Sequence, residues 1–347
     1  MLQLTKRSIL SRSIYFQTFR KVTTKSHLAS NPFTVENMQM IRESKNQFPK
    51  PNLISFDLFG TLYYPKKSVP DQYYDISKHE FGINKSLESI TKDFPKIYDE
   101  MMKEYPNYGK GNPKFENTDT WWAELVKRIY SSGESKQDDE KLNALAHRLI
   151  HHFTSNEAYE LYPDVIPTLK FLKDKNVRLV ACSNSDERAL TILESLKIRQ
   201  FFHCNEILHC DNVFLSYNLD HSKGEKVFYD KVALVEYKSE INPNYKGKNV
   251  PIEFLSGCYQ IGDNYNEDFI GSIKSGWNGV LLDRDGSHSL NLTKNRESNP
   301  QYDACALSSQ EKELSTNDDS DDEPLVLANN RIVITNLTQL LKLFDWN

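Results

Sequence analysis

The chain has 347 residues, of which 38% are hydrophobic and 26% are charged, and its formal net charge is -5. This length suggests about two globular units, and no stretch approaches the ~20 apolar residues that a transmembrane helix needs. An integral membrane protein is therefore excluded, and the mildly acidic balance argues against nucleic-acid binding.

Residues 1–30 form a basic, serine-rich leader without any acidic residue. A helical wheel separates its apolar residues from the basic ones, as is typical of a mitochondrial transit peptide. The five cysteines lie far apart without a C-x-x-C motif, which fits a reducing compartment. We therefore expect a mitochondrial protein, in the matrix, whose leader lies outside the fold. A disordered basic tail is the alternative.

The first predicted element of the fold is a buried strand, Leu53 to Phe56, which ends at Asp57. A carboxylate at a strand end, followed by the flexible backbone of Gly60 and the hydroxyl of Thr61, suits a nucleophile beside a phosphate-binding turn. An aspartate that only caps the end of a strand accounts for the same residues.

A helical insertion is predicted next, at residues 63–159. The distance in sequence from Asp57 to the next strand is far longer than a crossover connection requires. Helix Pro163 to Lys173 then leads back to the sheet. Within the insertion, apolar periodicity predicts three helices, Leu87 to Glu104, Thr120 to Tyr130 and Asp138 to Phe153.

The second predicted strand, Val177 to Cys182, ends at Ser183 and Asn184 and is followed by a helix from Glu187 to Leu196. A hydroxyl and free backbone amides at the start of a helix suit a bound anion. An ordinary helix N-cap is the alternative.

The third predicted strand, Cys258 to Ile261, leads into Asp263 and Asp268, with helical periodicity from Glu267 to Ser275. Carboxylate oxygens close together near a glycine turn are ligands that Mg²⁺ prefers when it bridges to a phosphate. An acidic turn that opens a helix is the alternative.

Strands that alternate with helices predict an α/β fold with a doubly wound parallel sheet, whose ligand crevice lies at the carboxyl ends of the strands. Residues 50–62, 160–285 and 330–347 are assigned to this core, the last as a strand and a helix capped near Asn336. Residues 286–329, with a run of aspartates, are predicted to be a disordered acidic insertion.

The order of these motifs resembles the haloacid dehalogenase (HAD) superfamily of phosphatases, dehalogenases and related hydrolases. Asp-x-x-Gly-Thr follows the first strand, Ser-Asn the second and Gly-Asp-x-x-x-x-Asp the third. The resemblance runs from about Asn52 to Asp285 and resumes from Asn330 to Phe344. It implies a Rossmann-like core with a helical cap at 63–159. Tyr105 to Gly109 and Trp121-Trp122 are similar to the third type of eukaryotic HAD-like hydrolase domain-containing proteins.

The resemblance also implies roles for individual residues, with Asp57 as the nucleophile. The lysine of the third motif remains open between Lys223 and Lys226, because the proline that usually follows it is Gly224 here. The expected catalytic residues are Asp57, Thr61, Ser183 and Lys223. The expected substrate-binding residues are Gly60 and Asn184. The expected Mg²⁺ ligands are Asp57, the backbone carbonyl of Phe59, Asp263 and Asp268.

One position departs from the phosphatases of this family, which have a second aspartate two residues after the nucleophile. That aspartate protonates the leaving group and activates water, and here the position is Phe59. Loss of positioned acid-base help costs about 10² to 10⁴ in rate. We therefore expect poor cleavage of alkyl esters and less effect on acyl, enol, aryl or anhydride phosphates.

The sequence therefore predicts a hydrolase that uses Mg²⁺ and an aspartyl-phosphate to act on a small phosphorylated metabolite with a good leaving group. One alternative is a non-catalytic HAD fold that binds a partner or metabolite through the cap aromatics, including Tyr108 and Trp122. A second is a 2-haloacid dehalogenase-like hydrolase, since Phe59 resembles those enzymes. Asp263 argues against the second, because those enzymes lack the carboxylate that binds the metal.

Overall fold

The structure is a computed structural model that describes residues 48, 50–131, 138–203, 211–285, 324–328 and 330–346. The predicted transit peptide at 1–30 lies outside these residues, so the mitochondrial location stays a prediction. Among the described helices, none is long and apolar enough to cross a membrane.

The described strands are β1 Leu53–Phe56, β2 Tyr63–Pro65, β3 Tyr159–Leu161, β4 Arg178–Ser183, β5 Val213–Leu215, β6 Cys258–Gly262, β7 Asn278–Leu282, β8 Leu325–Ala328 and β9 Arg331–Ile334. Seven of them form one sheet in the order β5-β4-β1-β6-β7-β9-β8. All neighbouring pairs are parallel except β8 and β9 at one edge, which are antiparallel. The prediction of an α/β fold with a doubly wound, Rossmann-like parallel sheet is confirmed.

The edge strand β8 corrects one predicted boundary. Residues 286–329 were assigned to a disordered insertion, but Leu325 and Val326 pair with Val333 and Ile332 of β9. A short continuous apolar run such as Leu-Val-Leu-Ala, which ends this acidic stretch, is typical of a strand rather than of a solvated loop. Residues 286–323 lie outside the described part of the chain.

Both faces of the parallel sheet are covered, which explains why its central strands are mostly buried and mostly apolar. On one face, Leu53, Val180 and Cys258 pack against Phe228 and Val232 of a long helix. Side chains alternate along a strand, so Tyr259 points to the opposite face. There its ring packs edge-on against Phe344, with centroids 4.9 Å apart.

The described helices are α1 Val69–His79, α2 Leu87–Glu104, α3 Thr118–Ser131, α4 Asp139–His152, α5 Val165–Asp174, α6 Arg188–Ser195, α7 Ser216–Leu219, α8 Lys226–Glu240, α9 Ile252–Leu255, α10 Gly271–Ile273 and α11 Leu337–Leu340. Short 3₁₀ turns are found at Asn107–Gly109 and Arg199–Phe202, and a turn of π-helix at Tyr265–Ile270. Asn336 caps α11 through its side chain, which accepts from the amides of Thr338 and Gln339.

The chain divides into two compact units, of which one is helical and consists of Pro65–Glu160 and Asp186–Leu196. Helices α1 to α4 form its body, and Trp121 is fully buried among them. Tyr108 is also buried, and its ring lies 5.5 Å from that of Trp121. These two aromatics therefore belong to the core of the helical unit.

The second unit contains the sheet and consists of the described residues of 31–64, Leu161–Ser185 and Lys197–Asn347. Every residue that the sequence assigns to catalysis, substrate or metal lies in this unit. Its strands β1, β4 and β6 lie side by side in the middle of the sheet. Because these neighbours are parallel, their carboxyl ends meet at one edge.

Candidate active site

The register of the sheet brings the three predicted motifs together. Phe56 of β1 lies opposite Ala181 of β4 and Ile261 of β6. Asp57 follows Phe56 and continues the ladder, since its amide donates to the carbonyl of Ile261 at 2.8 Å. The residues that follow β4 and β6 therefore lie on either side of Asp57.

Asp57 is buried and paired with a lysine. The Nζ of Lys223 donates to Asp57 Oδ1 and also, at 2.7 Å, to Asp268 Oδ1. The side chain of Lys223 is 2% exposed. A buried ammonium is tolerated only when carboxylates compensate for its lost hydration, and here two of them do so.

The hydroxyl of Thr61 connects two carboxylates. Its Oγ1 accepts from the amide of Asp263 at 3.2 Å and lies 3.5 Å from Asp57 Oδ2 and 3.4 Å from Asp263 Oδ1. A hydroxyl has one proton, so it donates to only one of these oxygens at a time. Thr61 therefore fixes the loop after β1 against the loop after β6.

Asp268 is held by residues that the sequence interpretation did not identify. Gln260 of β6 is fully buried, and its Nε2 donates to Asp268 Oδ1 at 3.0 Å. The amide of Asn264 donates to Asp268 Oδ2 at 3.1 Å. Asp268 itself lies in the turn of π-helix, a widened turn that is frequent at functional sites.

Asp57, Asp263 and Asp268 form a cluster in which one carboxylate oxygen from each residue lies within 4.8 Å of the others. Among the described residues, no other group of three His, Cys, Asp or Glu side chains offers ligand atoms this close together. We call these three residues the carboxylate cluster. Its donor set is all oxygen, which suits a hard divalent cation such as Mg²⁺.

Electrostatics oppose full ionisation of the carboxylate cluster. Burial raises the pKa of Asp57 to about 6, although Lys223 lowers it, and the charge of Asp263 raises it further. Burial and the charge of Asp268 raise the pKa of Asp263 to about 7. Burial also raises the pKa of Asp268 to about 7, against the opposing effect of Lys223. Three carboxylates therefore lie around a single ammonium group. A second positive charge at this site would favour their ionised form.

Lys223 keeps its proton in this setting. Burial alone lowers the pKa of a lysine, but the charges of Asp268 and Asp57 raise it above its ordinary value. The other candidate, Lys226, is placed differently. Its Nζ pairs with Asp230 on the surface of α8, and its side chain is 58% exposed.

Ser183 and Asn184 lie at the carboxyl end of β4, beside β1. Ser183 is buried. The Oδ1 of Asn184 accepts from the amide of Lys223 at 2.8 Å, so Asn184 positions the loop that carries Lys223. Phe59 lies in the loop after Asp57, partly buried, with its ring edge-on to Tyr63 at 6.0 Å between centroids.

Gly60 occupies a position that only glycine fits. Its φ is +87°, and a Cβ on this residue would lie 2.5 Å from Asp263 Oδ2. We expect Gly60→Ala to lower the free energy of unfolding by about 2 kcal/mol or more, through backbone strain and displacement of Asp263. Urea denaturation and hydrolytic activity measure the two consequences.

Gly82→Ala is the matched control for Gly60→Ala. Gly82 also has a positive φ, +61°, but nothing lies within 4 Å of an added Cβ. This variant is expected to lose only about 1 kcal/mol and to retain activity. If Gly60→Ala is as stable and as active as Gly82→Ala, the turn at Gly60 does not lie as close to Asp263 as described.

Comparison with protein families gives a match over just over half of the chain. The profile of the haloacid dehalogenase-like hydrolases matches residues 51–232. These residues include Asp57, Thr61, Ser183 and Lys223, but end before Asp263.

Two relatives show the extent of the similarity. The uncharacterized protein YMR130W of Saccharomyces cerevisiae is 28% identical over 302 residues, which cover 85% of this chain and 93% of that protein. Haloacid dehalogenase-like hydrolase domain-containing protein 3 of Danio rerio is 23% identical over 239 residues, which cover 69% of this chain and 88% of that protein. Among solved structures, a 2-haloacid dehalogenase from Pseudomonas syringae pv. Tomato superposes with a TM-score of 0.48 at 13% identity, covering 85% of this chain and 98% of that one.

Proposed function

The chain belongs to the haloacid dehalogenase-like hydrolases, and we propose that it is a Mg²⁺-dependent phosphohydrolase. Its substrate is a small phosphorylated metabolite with a good leaving group, and the reaction passes through an aspartyl-phosphate on Asp57. The carboxylate cluster around Lys223 is the observation that carries this proposal. A carboxylate that can act as a nucleophile, a fixed positive charge and a set of hard oxygen ligands lie within one site, which is buried except at Asp263.

The carboxylate cluster fits Mg²⁺ in donor chemistry and in charge. Asp57, Asp263 and Asp268 would hold the ion, with the backbone carbonyl of Phe59 as a further ligand. Asp263 is the only one of the three that is partly exposed. When bound, Mg²⁺ neutralises charge on the phosphoryl group and lowers the repulsion between that group and the carboxylates.

The residues of the chain account for the first half of the reaction. Lys223 holds Asp57 Oδ1, which leaves Oδ2 as the oxygen that attacks phosphorus. A bond forms between Oδ2 and phosphorus, and the bond to the leaving oxygen breaks, so that the leaving group departs with the electron pair. The hydroxyls of Thr61 and Ser183 orient the phosphoryl oxygens and so align the phosphoryl group with the attacking oxygen.

In the second half of the reaction, water attacks the phosphorus of the aspartyl-phosphate. Inorganic phosphate leaves, and the carboxylate of Asp57 is regenerated. Phe59 provides no acid or base for either half, so departure depends on the acidity of the leaving group itself. This supports acyl, enol, aryl and anhydride phosphates over alkyl phosphates.

Asp263→Asn is expected to weaken Mg²⁺ binding at least about tenfold and to lower phosphatase activity in parallel. The substitution keeps the shape of the side chain but removes one of the charges that favour a hard cation. Calorimetric titration of the protein with Mg²⁺ measures the affinity without reference to turnover.

Asp230→Asn is the control for this experiment. Asp230 belongs to the same unit but pairs with Lys226 on the surface of α8. It is expected to bind Mg²⁺ as the unchanged protein does. Equal Mg²⁺ affinity of Asp263→Asn and Asp230→Asn would contradict the assignment of the metal to the carboxylate cluster.

A further inference from the structure

Arg284 connects residues 57–63, which we call the active-site loop, to two other segments of the unit that contains the sheet. It follows β7, and its Nη1 and Nη2 form a two-pronged ion pair with Asp164, at 2.8 and 3.0 Å. The same Nη2 also donates to the backbone carbonyl of Thr61 at 3.0 Å. Asp164 in turn accepts from the amide of Leu337 at 2.7 Å, at the start of α11.

Tyr162 completes the arrangement. The guanidinium of Arg284 lies over its ring, 3.8 Å from the centroid. The amide of Tyr162 donates to the carbonyl of Leu62 at 3.1 Å. Two successive carbonyls of the active-site loop, those of Thr61 and Leu62, are thus held from outside the loop.

The hydrogen bonds of Arg284 fix the positions of its partners more than they stabilise the fold. Its Nε is buried, and no partner for it is found in the described part of the chain. A buried ion pair is weak evidence for stability, and an unsatisfied buried donor adds a cost. The benefit of the geometry is that Nη2 can bond Asp164 and Thr61 together, since a rigid guanidinium fork fixes both partners at once.

Thr61 is the residue through which such a constraint reaches the reaction. Its carbonyl is held by Arg284, while its hydroxyl lies between Asp57 and Asp263. A shift of the Thr61 backbone would carry this hydroxyl away from both carboxylates. A misplacement of about 1 Å at a reacting centre can cost about 10²-fold in rate.

We propose that Arg284 is a positioning residue for phosphoryl transfer, which acts by holding the backbone of Thr61 in place so that the hydroxyl of Thr61 stays between Asp57 and Asp263. The expected effect of Arg284 on the reaction rate rests on the proposed function. The expected effect of Arg284 on the position of the active-site loop does not.

The kinetic test is a double-mutant cycle with p-nitrophenyl phosphate and Mg²⁺. Arg284→Met is expected to lower kcat about ten- to hundredfold with little change in KM. In a Thr61→Ala background the same substitution is expected to change kcat less than about threefold, because the hydroxyl that it positions is absent. An equal loss of kcat in both backgrounds would show that Arg284 does not act through Thr61.

Two further variants separate positioning from folding. Arg199→Met removes another two-pronged Arg–Asp ion pair in the same unit, the pair with Asp211. It is expected to leave kcat within about twofold. Arg284→Lys keeps a charge for Asp164 but loses the fork, so it is expected to fold and still to lower kcat. Full activity of Arg284→Lys and Arg284→Met alike would overturn the proposal.

Hydrogen exchange distinguishes failure of this inference from failure of the proposed function. The amides of Leu62 and Gly60 are bonded within the active-site loop, to the carbonyls of Leu58 and Tyr63. Exchange in a peptide that spans 58–63 is expected to accelerate in Arg284→Met but not in Arg199→Met. Faster exchange without any phosphatase activity in the unchanged protein would reject the function and keep the positioning role. Unchanged exchange would reject the positioning role.

Discussion

Replacing Asp57 by Asn is expected to lower Mg²⁺-dependent hydrolysis of an acyl or aryl phosphate by about three orders of magnitude or more. The amide of asparagine has the shape of the carboxylate but is a poor nucleophile. The measurement compares kcat/KM of Asp57→Asn and of the unchanged protein, with acetyl phosphate and p-nitrophenyl phosphate as substrates.

The same substitution is expected to leave the fold intact or slightly more stable. Burial and the charge of Asp263 raise the pKa of Asp57, so its ionised form is held at a cost. Lys223 retains its ion pair with Asp268 when Asp57 is replaced. A loss of activity together with an unchanged or higher melting temperature is the mark of a functional rather than a structural residue. Activity that survives in Asp57→Asn would reject Asp57 as the nucleophile.

The second large effect is an increase in activity toward alkyl phosphates. Phe59→Asp is expected to raise kcat/KM for alkyl phosphates by at least about 10²-fold, since a carboxyl near the leaving oxygen can protonate it. Aryl and acyl phosphates, whose leaving groups need no proton, are expected to gain much less. The measurement is the ratio of kcat/KM for glycerol phosphate to that for p-nitrophenyl phosphate.

Phe59→Asn is the matched control for this gain. It removes the same ring and its edge-on contact with Tyr63 but supplies no proton. Phe59→Asp and Phe59→Asn should therefore lose similar stability and differ only in the alkyl phosphate assay. If both variants hydrolyse glycerol phosphate equally, other groups already handle the proton and Phe59 does not limit the substrate range.

The sequence predicted the strand ends that carry the carboxylate cluster well, because local signals determine them. The strand Leu53–Phe56 is found with the predicted boundaries, and a buried parallel strand that ends in a polar residue places that residue at one edge of the sheet. Helix α2 was also predicted with its observed ends, since Ser86 caps it and its apolar face is regular. Family membership, which the order of the motifs implied, is confirmed.

Other features depend on partners that a single sequence does not reveal. Helix α1 was not predicted, although Ser68 caps it and Pro70 opens it, since its apolar residues are few. Gln260 stands out only as a polar residue within an apolar strand, and its partner Asp268 comes from the following turn. The choice between Lys223 and Lys226 required the packing of the loop before α8.

Arg284 shows the same dependence on tertiary contacts. Its partners Asp164 and Thr61 lie 120 and 223 residues away in sequence. In the sequence, Arg284 is only the next-to-last residue of the stretch from Asn52 to Asp285 that resembles the family. No periodicity or spacing indicates that it reaches the active-site loop.

The aspartyl-phosphate on Asp57 is the central claim, and chemical trapping tests it most directly. Without an acid-base residue at Phe59 to activate water, the intermediate is expected to persist long enough to be quenched. After a brief reaction with acetyl [³²P]phosphate and Mg²⁺, acid quenching and proteolysis should give label in the peptide that contains Asp57, and hydroxylamine should release it. Asp57→Asn should carry no label. Product release without label in this peptide, or equal labelling of Asp57→Asn, would contradict the account.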